Sequence, residues 1–377
     1  MKKISFIAVV LLLIINCSKS SDPKSETEPE VDVSEGQTNW TKFAYYDTIS
    51  NPRHEPLFTG EVGVYDIAIK GNTILLAGYE ADFESTGLIW GSQDGGETWE
   101  YKKGLSCGAG SYYTNIVFAS DTIVYAVGNC MGDNFIIKSS DGGDTWSNKT
   151  RLFYDTYSSY PYFSAKPLWF FDEKRGIFGN RKTTDGGASW TTIEHLSDFP
   201  NFQKNNSAIV SHFFVNDSLG YCNSQKKVLK TQDGGESWLL IYQDETEEFR
   251  NIYFLDEVNG FLVTKTHLLK TQNGGESWKT AYSNEVRNIS FANQHIGFIT
   301  TVNGVYKTLD SGENWQENYT SQFYVWGTDS NGIPTTFAPS IVEFEGENIG
   351  ITTGKQIGLS TLPNGKAYIA RTTTLGE

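Results

Sequence analysis

Apolar residues in this chain fall into short β-rich runs such as Ile67-Ala-Ile69, Ile116-Val-Phe118, Leu168-Trp-Phe170 and Ile252-Tyr-Phe254, separated by Gly, Asn, Asp and Ser. Nowhere do they recur at the three- and four-residue spacing that would line one face of a helix, so the pattern predicts strands joined by tight turns. Further runs are His212-Phe-Phe214 and Ile289-Ser-Phe291, and Gly176, Gly220, Gly260 and Gly297 each open a second apolar stretch after such a run. Each unit therefore offers three or four strands.

The turns repeat as well. An eight-residue box reads Ser92-Gln-Asp94-Gly-Gly-Glu-Thr-Trp99, Ser139-Ser-Asp141-Gly-Gly-Asp-Thr-Trp146 and Thr183-Thr-Asp185-Gly-Gly-Ala-Ser-Trp190. It continues as Thr231-Gln-Asp233-Gly-Gly-Glu-Ser-Trp238, Thr271-Gln-Asn273-Gly-Gly-Glu-Ser-Trp278 and Thr308-Leu-Asp310-Ser-Gly-Glu-Asn-Trp315. Successive copies lie 47, 44, 48, 40 and 37 residues apart. Units of this length, each a small antiparallel sheet unable to cover its own faces, pack radially, which predicts an all-β fold, a β-propeller. Ile341-Val-Glu-Phe344 with Gly350 supplies a seventh unit, whose box is expected in worn form at Thr361–Tyr368. Seven blades follow. Asn39-Trp40-Thr-Lys-Phe43, which parallels Asn314-Trp315 and its following strand, is expected to close the ring as the outer strand of the last blade, in competition with Ala367–Thr373.

The box resembles the Asp-box of sialidases, sortilin-type receptors, xyloglucan-cleaving enzymes and the photosystem II stability/assembly factor family. That resemblance places each box between the third and fourth strands of a blade. Two glycines permit positive φ, the Asp carboxylate accepts backbone N–H groups, the Ser or Thr hydroxyl adds a bond, and the Trp ring is buried between sheets. Asp94, Asp141, Asp185, Asp233, Asn273 and Asp310, with their six tryptophans, are thus expected to be structural. A catalytic or calcium-binding role is the alternative, but a repeated turn accounts for six copies and a single active site does not.

The order of strand, Gly and box matches the photosystem II stability/assembly factor family over about residues 39 to 370. The resemblance implies a non-catalytic platform that holds another protein. A sialidase would need an Arg-Ile-Pro motif, three arginines gripping a carboxylate and a Tyr-Glu pair. The chain has seven arginines and no Arg-Ile-Pro. Its five histidines stand singly, so no metal and no cofactor is expected. Carboxylates brought together only by folding would escape this reading, which leaves a sialidase-like glycosidase or a carbohydrate-binding propeller as the alternative.

Charge narrows the partners. With 30 Lys and Arg against 45 Asp and Glu the net charge is -15, which disfavours nucleic acid. At the N-terminus Lys2 and Lys3 precede an apolar run, Phe6–Ile15, too short to span a bilayer. Ile14-Ile-Asn16-Cys17 resembles the lipobox of bacterial lipoproteins. Residues 1–16 are accordingly expected to be a signal peptide, and Cys17 to carry lipid. Residues 17–38, which hold six carboxylates and two lysines between Ser18 and Gly36, form an expected tether to a propeller over 39–377. A monomer held at the outer membrane or cell surface is the expected setting.

Candidate binding residues lie on the links between blades, opposite the boxes: Tyr154, Tyr157, Tyr160, Tyr324 and Trp326, whose rings suit a protein or glycan surface or else plug the channel mouth. Arg250 and Arg287 occupy one repeat position and are placed to take a carboxylate or to pair with Glu247, Glu248 or Glu285. Cys107 and Cys130 share the link face and are expected to form a disulfide; Cys222 is expected to be a buried thiol.

Overall fold

The computed structural model describes residues 41–45, 61–81, 85–105, 107, 110–131, 133–154, 166–196, 209–320, 336–357 and 367–375, all within the unit Gly36–Glu377. They form seven four-stranded antiparallel sheets, and one short 3₁₀ turn, Glu194–Leu196, is the only helical element among them. Blade 1 runs Glu61–Lys70, Thr73–Ala81, Ser85–Ser92 and Glu100–Leu105. The first strands of blades 2 to 7 are Ser111–Phe118, Leu168–Phe170, Ile209–Phe214, Phe249–Phe254, Asn288–Phe291 and Thr336–Glu345. Each touches the first strand of the next blade, and Thr336–Glu345 touches Glu61–Lys70. The fold is therefore a closed seven-bladed β-propeller with first strands lining the axis.

The core is divided among the blade interfaces. Ile341, Ile349, Ile351 and Ile369 of blade 7 pack with Ile67, Ile74, Leu76 and Trp90 of blade 1, and equivalent clusters join blades 1 to 6 in succession. Every box Trp sits in the interface with the preceding blade: Trp146 against blade 1, Trp238 against blade 3, Trp315 against blade 5. The glycines that follow the first strands have a steric cause. A Cβ at Gly176, Gly220, Gly260, Gly297 or Gly350 would lie 2.2 to 2.7 Å from the ring of Phe170, Phe214, Phe254, Phe291 or Phe344. Each of these aromatic rings lies flat on the glycine of its partner strand.

Ring closure follows the expectation, with the N-terminal segment as the outer strand of blade 7, but the seventh box lies elsewhere. Ala367–Thr372 is the third strand of blade 7, paired with Ile349–Ile357, and Thr41–Tyr45 pairs with it as the fourth, Thr41 opposite Arg371. Of the stretch Thr361–Tyr368, expected to be the box, Ala367 and Tyr368 belong to the third strand and the rest lies outside the described residues. The box position begins at Thr372: Thr374 N donates to Thr372 Oγ1 at 3.3 Å, the bond that opens every other box, and Leu375 has φ 57° where box 6 has Ser311 at 60°. Asn364-Gly365 imitated the turn's composition, but strand pairing assigns the place.

Candidate functional site

The box is a self-contained hydrogen-bonded turn. In box 2 the Ser139 hydroxyl donates to Asp141 Oδ1 at 2.7 Å and accepts from Gly143 N at 2.8 Å. Asp141 also accepts the Thr145 amide at 2.8 Å, and Trp146 Nε1 donates to Gly143 O at 2.8 Å. The Thr145 hydroxyl and amide, then the Ser139 hydroxyl, hold the Asp141 carboxyl down to about 2, and the corresponding groups hold Asp185 and Asp310 at about 2. Asn273 makes the turn without charge: its Oδ1 accepts from Thr271 and Ser277, and its Nδ2 donates to Ser277. The carboxylates at the third position of the boxes, such as Asp141, Asp185 and Asp310, are spent on their own turns.

A signal missed in the sequence lies immediately before the boxes. Lys138, Lys182, Lys230, Lys270, Lys307 and Arg371 occupy the residue preceding the box Ser or Thr. Three of them reach the box of the next blade: Lys182 to Glu236, Lys270 to Glu313 at 2.7 Å, and Arg371 to Glu97 at 3.5 Å. Blade 1 has Gly91 there, and the Lys102 side chain lies over it to reach Asp144. These pairs join neighbouring blades on the box face.

On the link side, one repeat position lies four residues before the last residue of each apolar run (Ile69 in blade 1, Phe in the others): Tyr65, Thr114, Lys166, Val210, Arg250, Arg287 and Ser340. Arg250 pairs with Glu285 at 2.6 Å, and Arg287 Nη1 donates to Pro339 O of blade 7 at 3.2 Å. Lys166, the third cation at this position, was not singled out from the sequence. Its Nζ lies 2.6 Å from Glu343 Oε2 of blade 7 and 4.0 Å from Asp66 Oδ1 of blade 1.

Asp66 and Glu343, with Lys166 between them, form the described carboxylate pair that the sequence left hidden. Asp66 is buried; its Oδ1 accepts Ile67 N and its Oδ2 accepts Ile116 N of blade 2, both at 3.0 Å. The Ser290 hydroxyl of blade 6 donates to Glu343 Oε1 at 3.5 Å and accepts Phe344 N at 3.1 Å. Tyr253 of blade 5, whose hydroxyl accepts Phe291 N at 3.3 Å, is pushed up to about 12 by burial and by Glu343. Lys166 is held charged because Glu343 and Asp66 outweigh the cost of its burial. Repeat alignment carries the signal for this cluster: Asp66 stands where other blades have Asn115, Asn251 and Asn288, and Glu343 stands where they have Val117, Trp169 or Phe213.

A disulfide joins Cys107, in the link after blade 1, to Cys130 at the end of the second strand of blade 2. Cys222 is a buried free thiol, its pKa raised by burial. Tyr154 closes the outer strand of blade 2, whereas Cys17, Trp40, Tyr157, Tyr160, Tyr324 and Trp326 lie outside the described residues. Among the described residues no group of three or more His, Cys, Asp or Glu is placed to hold a metal ion.

Residues 201–331, which contain blades 4 to 6, match the family model described as Photosynthesis system II assembly factor YCF48. No curated protein matches the chain in sequence. Among solved structures, YCF48 from Cyanidioschyzon merolae is similar at a TM-score of 0.55 and 14% identity, over 88% of this chain and 98% of that one. YCF48 bound to D1 peptide gives 0.57 and 13%, over 90% and 98%. The GH74 enzyme of Niastella koreensis gives 0.57 and 13% over 83% of this chain but 52% of its own length, so this chain spans about half of that enzyme. At such identities the likeness to solved structures is one of fold. By its repeats, its fold and the match over blades 4 to 6, the chain is an Asp-box β-propeller that resembles the photosystem II assembly-factor family.

Proposed function

We propose that this protein is a non-catalytic platform that holds a protein partner, exported and lipid-anchored through Cys17, with 17–38 as an acidic tether and 39–377 as the propeller. The observation that carries the non-catalytic reading is the state of the Asp66 and Glu343 carboxylates. Lys166 binds Glu343, and two backbone N–H groups occupy Asp66, so these groups join the first strands of blades 1, 2 and 7 to the lead into blade 3. A glycosidase needs one carboxyl poised to give a proton and another presented to the sugar. Among the described residues, Asp66 is buried and Glu343 is held by Lys166, so neither carboxylate is turned toward a sugar. The similar propeller YCF48, solved bound to D1 peptide, supports a peptide or protein as the class of partner.

The link face, with Arg250, Arg287 and the aromatic links, is the proposed docking side. Photo-crosslinking residues placed at Arg250 and Arg287 should capture one membrane protein, and the same residues placed at Gln93 and Gln232 in the boxes should not. Equal capture from both faces removes the face assignment. Hydrolysis of xyloglucan or a sialoside that is abolished by E343Q would replace the platform with the enzymatic alternative. Fatty-acid labelling that persists in C17S would remove the anchor.

A further inference from the structure

Two carboxylates depart from their repeat positions, Asp66 and Glu343, and Lys166 brings them together. Asp66 is the one carboxylate in a column that otherwise reads Asn115, Pro167, Ser211, Asn251, Asn288 and Ile341, Glu343 replaces apolar, aromatic or Ser residues, and Lys166 enters from blade 3 between them. Backbone bonding alone does not require the charge on Asp66. Asn251 Oδ1 accepts Ile252 N at 2.9 Å and Asn288 Oδ1 accepts Val342 N at 3.1 Å, each in the same column with a neutral amide. The ionised cluster holds two carboxylates and one ammonium. Asp66 is buried while Lys166 and Glu343 are part-exposed, and an ion cluster withdrawn from water is most favourable when its charges balance.

We propose that Asp66, Lys166 and Glu343 form a proton-binding clamp at the propeller axis, in which uptake of one proton by Asp66 leaves a balanced Lys166–Glu343 pair and tightens the ring. The groups facing Asp66 are the Lys166 ammonium from the lead into blade 3, the Glu343 carboxylate from blade 7 and the N–H groups of Ile67 and Ile116. Tyr253 and Ser290 face the Lys166–Glu343 pair and stay neutral across the range concerned. Burial lifts the Asp66 carboxyl from 3.8 to about 6, with Lys166 and the Ile116 amide pulling it down and Glu343 pushing it up. The unfolded chain releases the same proton near 3.8, so the folded ring holds more protons between these values. Stability therefore rises as pH falls through about 6 and the gain is complete near 4.

The test is the melting temperature of the full chain from pH 7.5 to 4.5, in the wild type, D66N, E343Q and K166M. The wild type should gain stability on acidification with a midpoint near 6. D66N should lose that component of the profile, since a purely structural role for Asp66 would shift the curve without changing its shape. E343Q should move the midpoint down and K166M should move it up, each by about one pH unit or more. If D66N does not fold, the two midpoint shifts decide alone. Parallel profiles for wild type and D66N, or a midpoint unmoved in both E343Q and K166M, overturn the clamp.

Discussion

Arg371, in the third strand of blade 7, lies 3.5 Å from Glu97, in the box of blade 1, across the point where the ring closes. The same contact joins Lys270 of blade 5 to Glu313 of blade 6, so the seam uses the device that links consecutive blades elsewhere. Arg371 is largely buried and Glu97 exposed, which limits the coupling to about 0.5 kcal/mol. E97R should lower the denaturation midpoint, and E97R combined with R371E should recover part of the loss. A double-mutant cycle with no coupling would show that strand pairing alone closes the seam.

The Trp of a box should matter more than its Asp. Trp238 is 8% exposed, packs in the interface between blades 3 and 4, and its Nε1 donates to Gly235 O at 3.0 Å. W238A should cost about 3–5 kcal/mol in urea unfolding, by cavity formation and loss of ring packing. D141N should cost about 1 kcal/mol or less, because Asn273 shows that an amide completes the same turn.

Gly260→Ala tests the contact between each first strand's Phe and its glycine. The new Cβ would lie 2.6 Å from the Phe254 ring, which is buried and stacked on Tyr221. The ring has nowhere to retreat, so G260A should lose about 1–3 kcal/mol in the same assay. An alanine tolerated without loss would show that the stacked pair can shift.

Strong acid should act through the boxes. Asp141, Asp185 and Asp310 titrate at about 2 in the folded protein and at 3.8 when unperturbed. Their folded pKa values are depressed, so their stabilisation is present above about 4 and is lost as pH falls toward 2. The D141N, D185N, D310N triple variant should show a flatter melting profile between pH 4 and 2 than the wild type. This limb lies below the range in which Asp66 titrates, so the two effects separate on one curve.

Reduction should destabilise the blade 1–2 link. The Cys107–Cys130 bond closes a 23-residue separation, and its loss should cost about 3 kcal/mol. C107S/C130S should melt below the oxidised wild type and be insensitive to dithiothreitol.

Seven blades, six box turns and the packing of the box tryptophans between blades were legible in the residues, although of the six only Trp99 and Trp238 are buried. The physical reason is locality: the bonds of a box run between residues no more than four apart, so Ser139, Asp141, Gly143 and Thr145 announce their turn wherever the rest of the chain goes. The cations before the boxes were equally visible as a column, but their partners lie one blade away and take meaning only from radial packing. The N-terminal outer strand of the closing blade was legible from its likeness to the strand after Trp315, but only strand pairing moved the seventh box to Thr372, because Asn364-Gly365 carries the same turn composition. Tertiary structure also decided the meeting of Asp66, Lys166 and Glu343. Lys166 and Glu343 are 177 residues apart, and only closure of the ring brings their strands to one axis, where burial makes a carboxylate, an ammonium and a second carboxylate depend on one another.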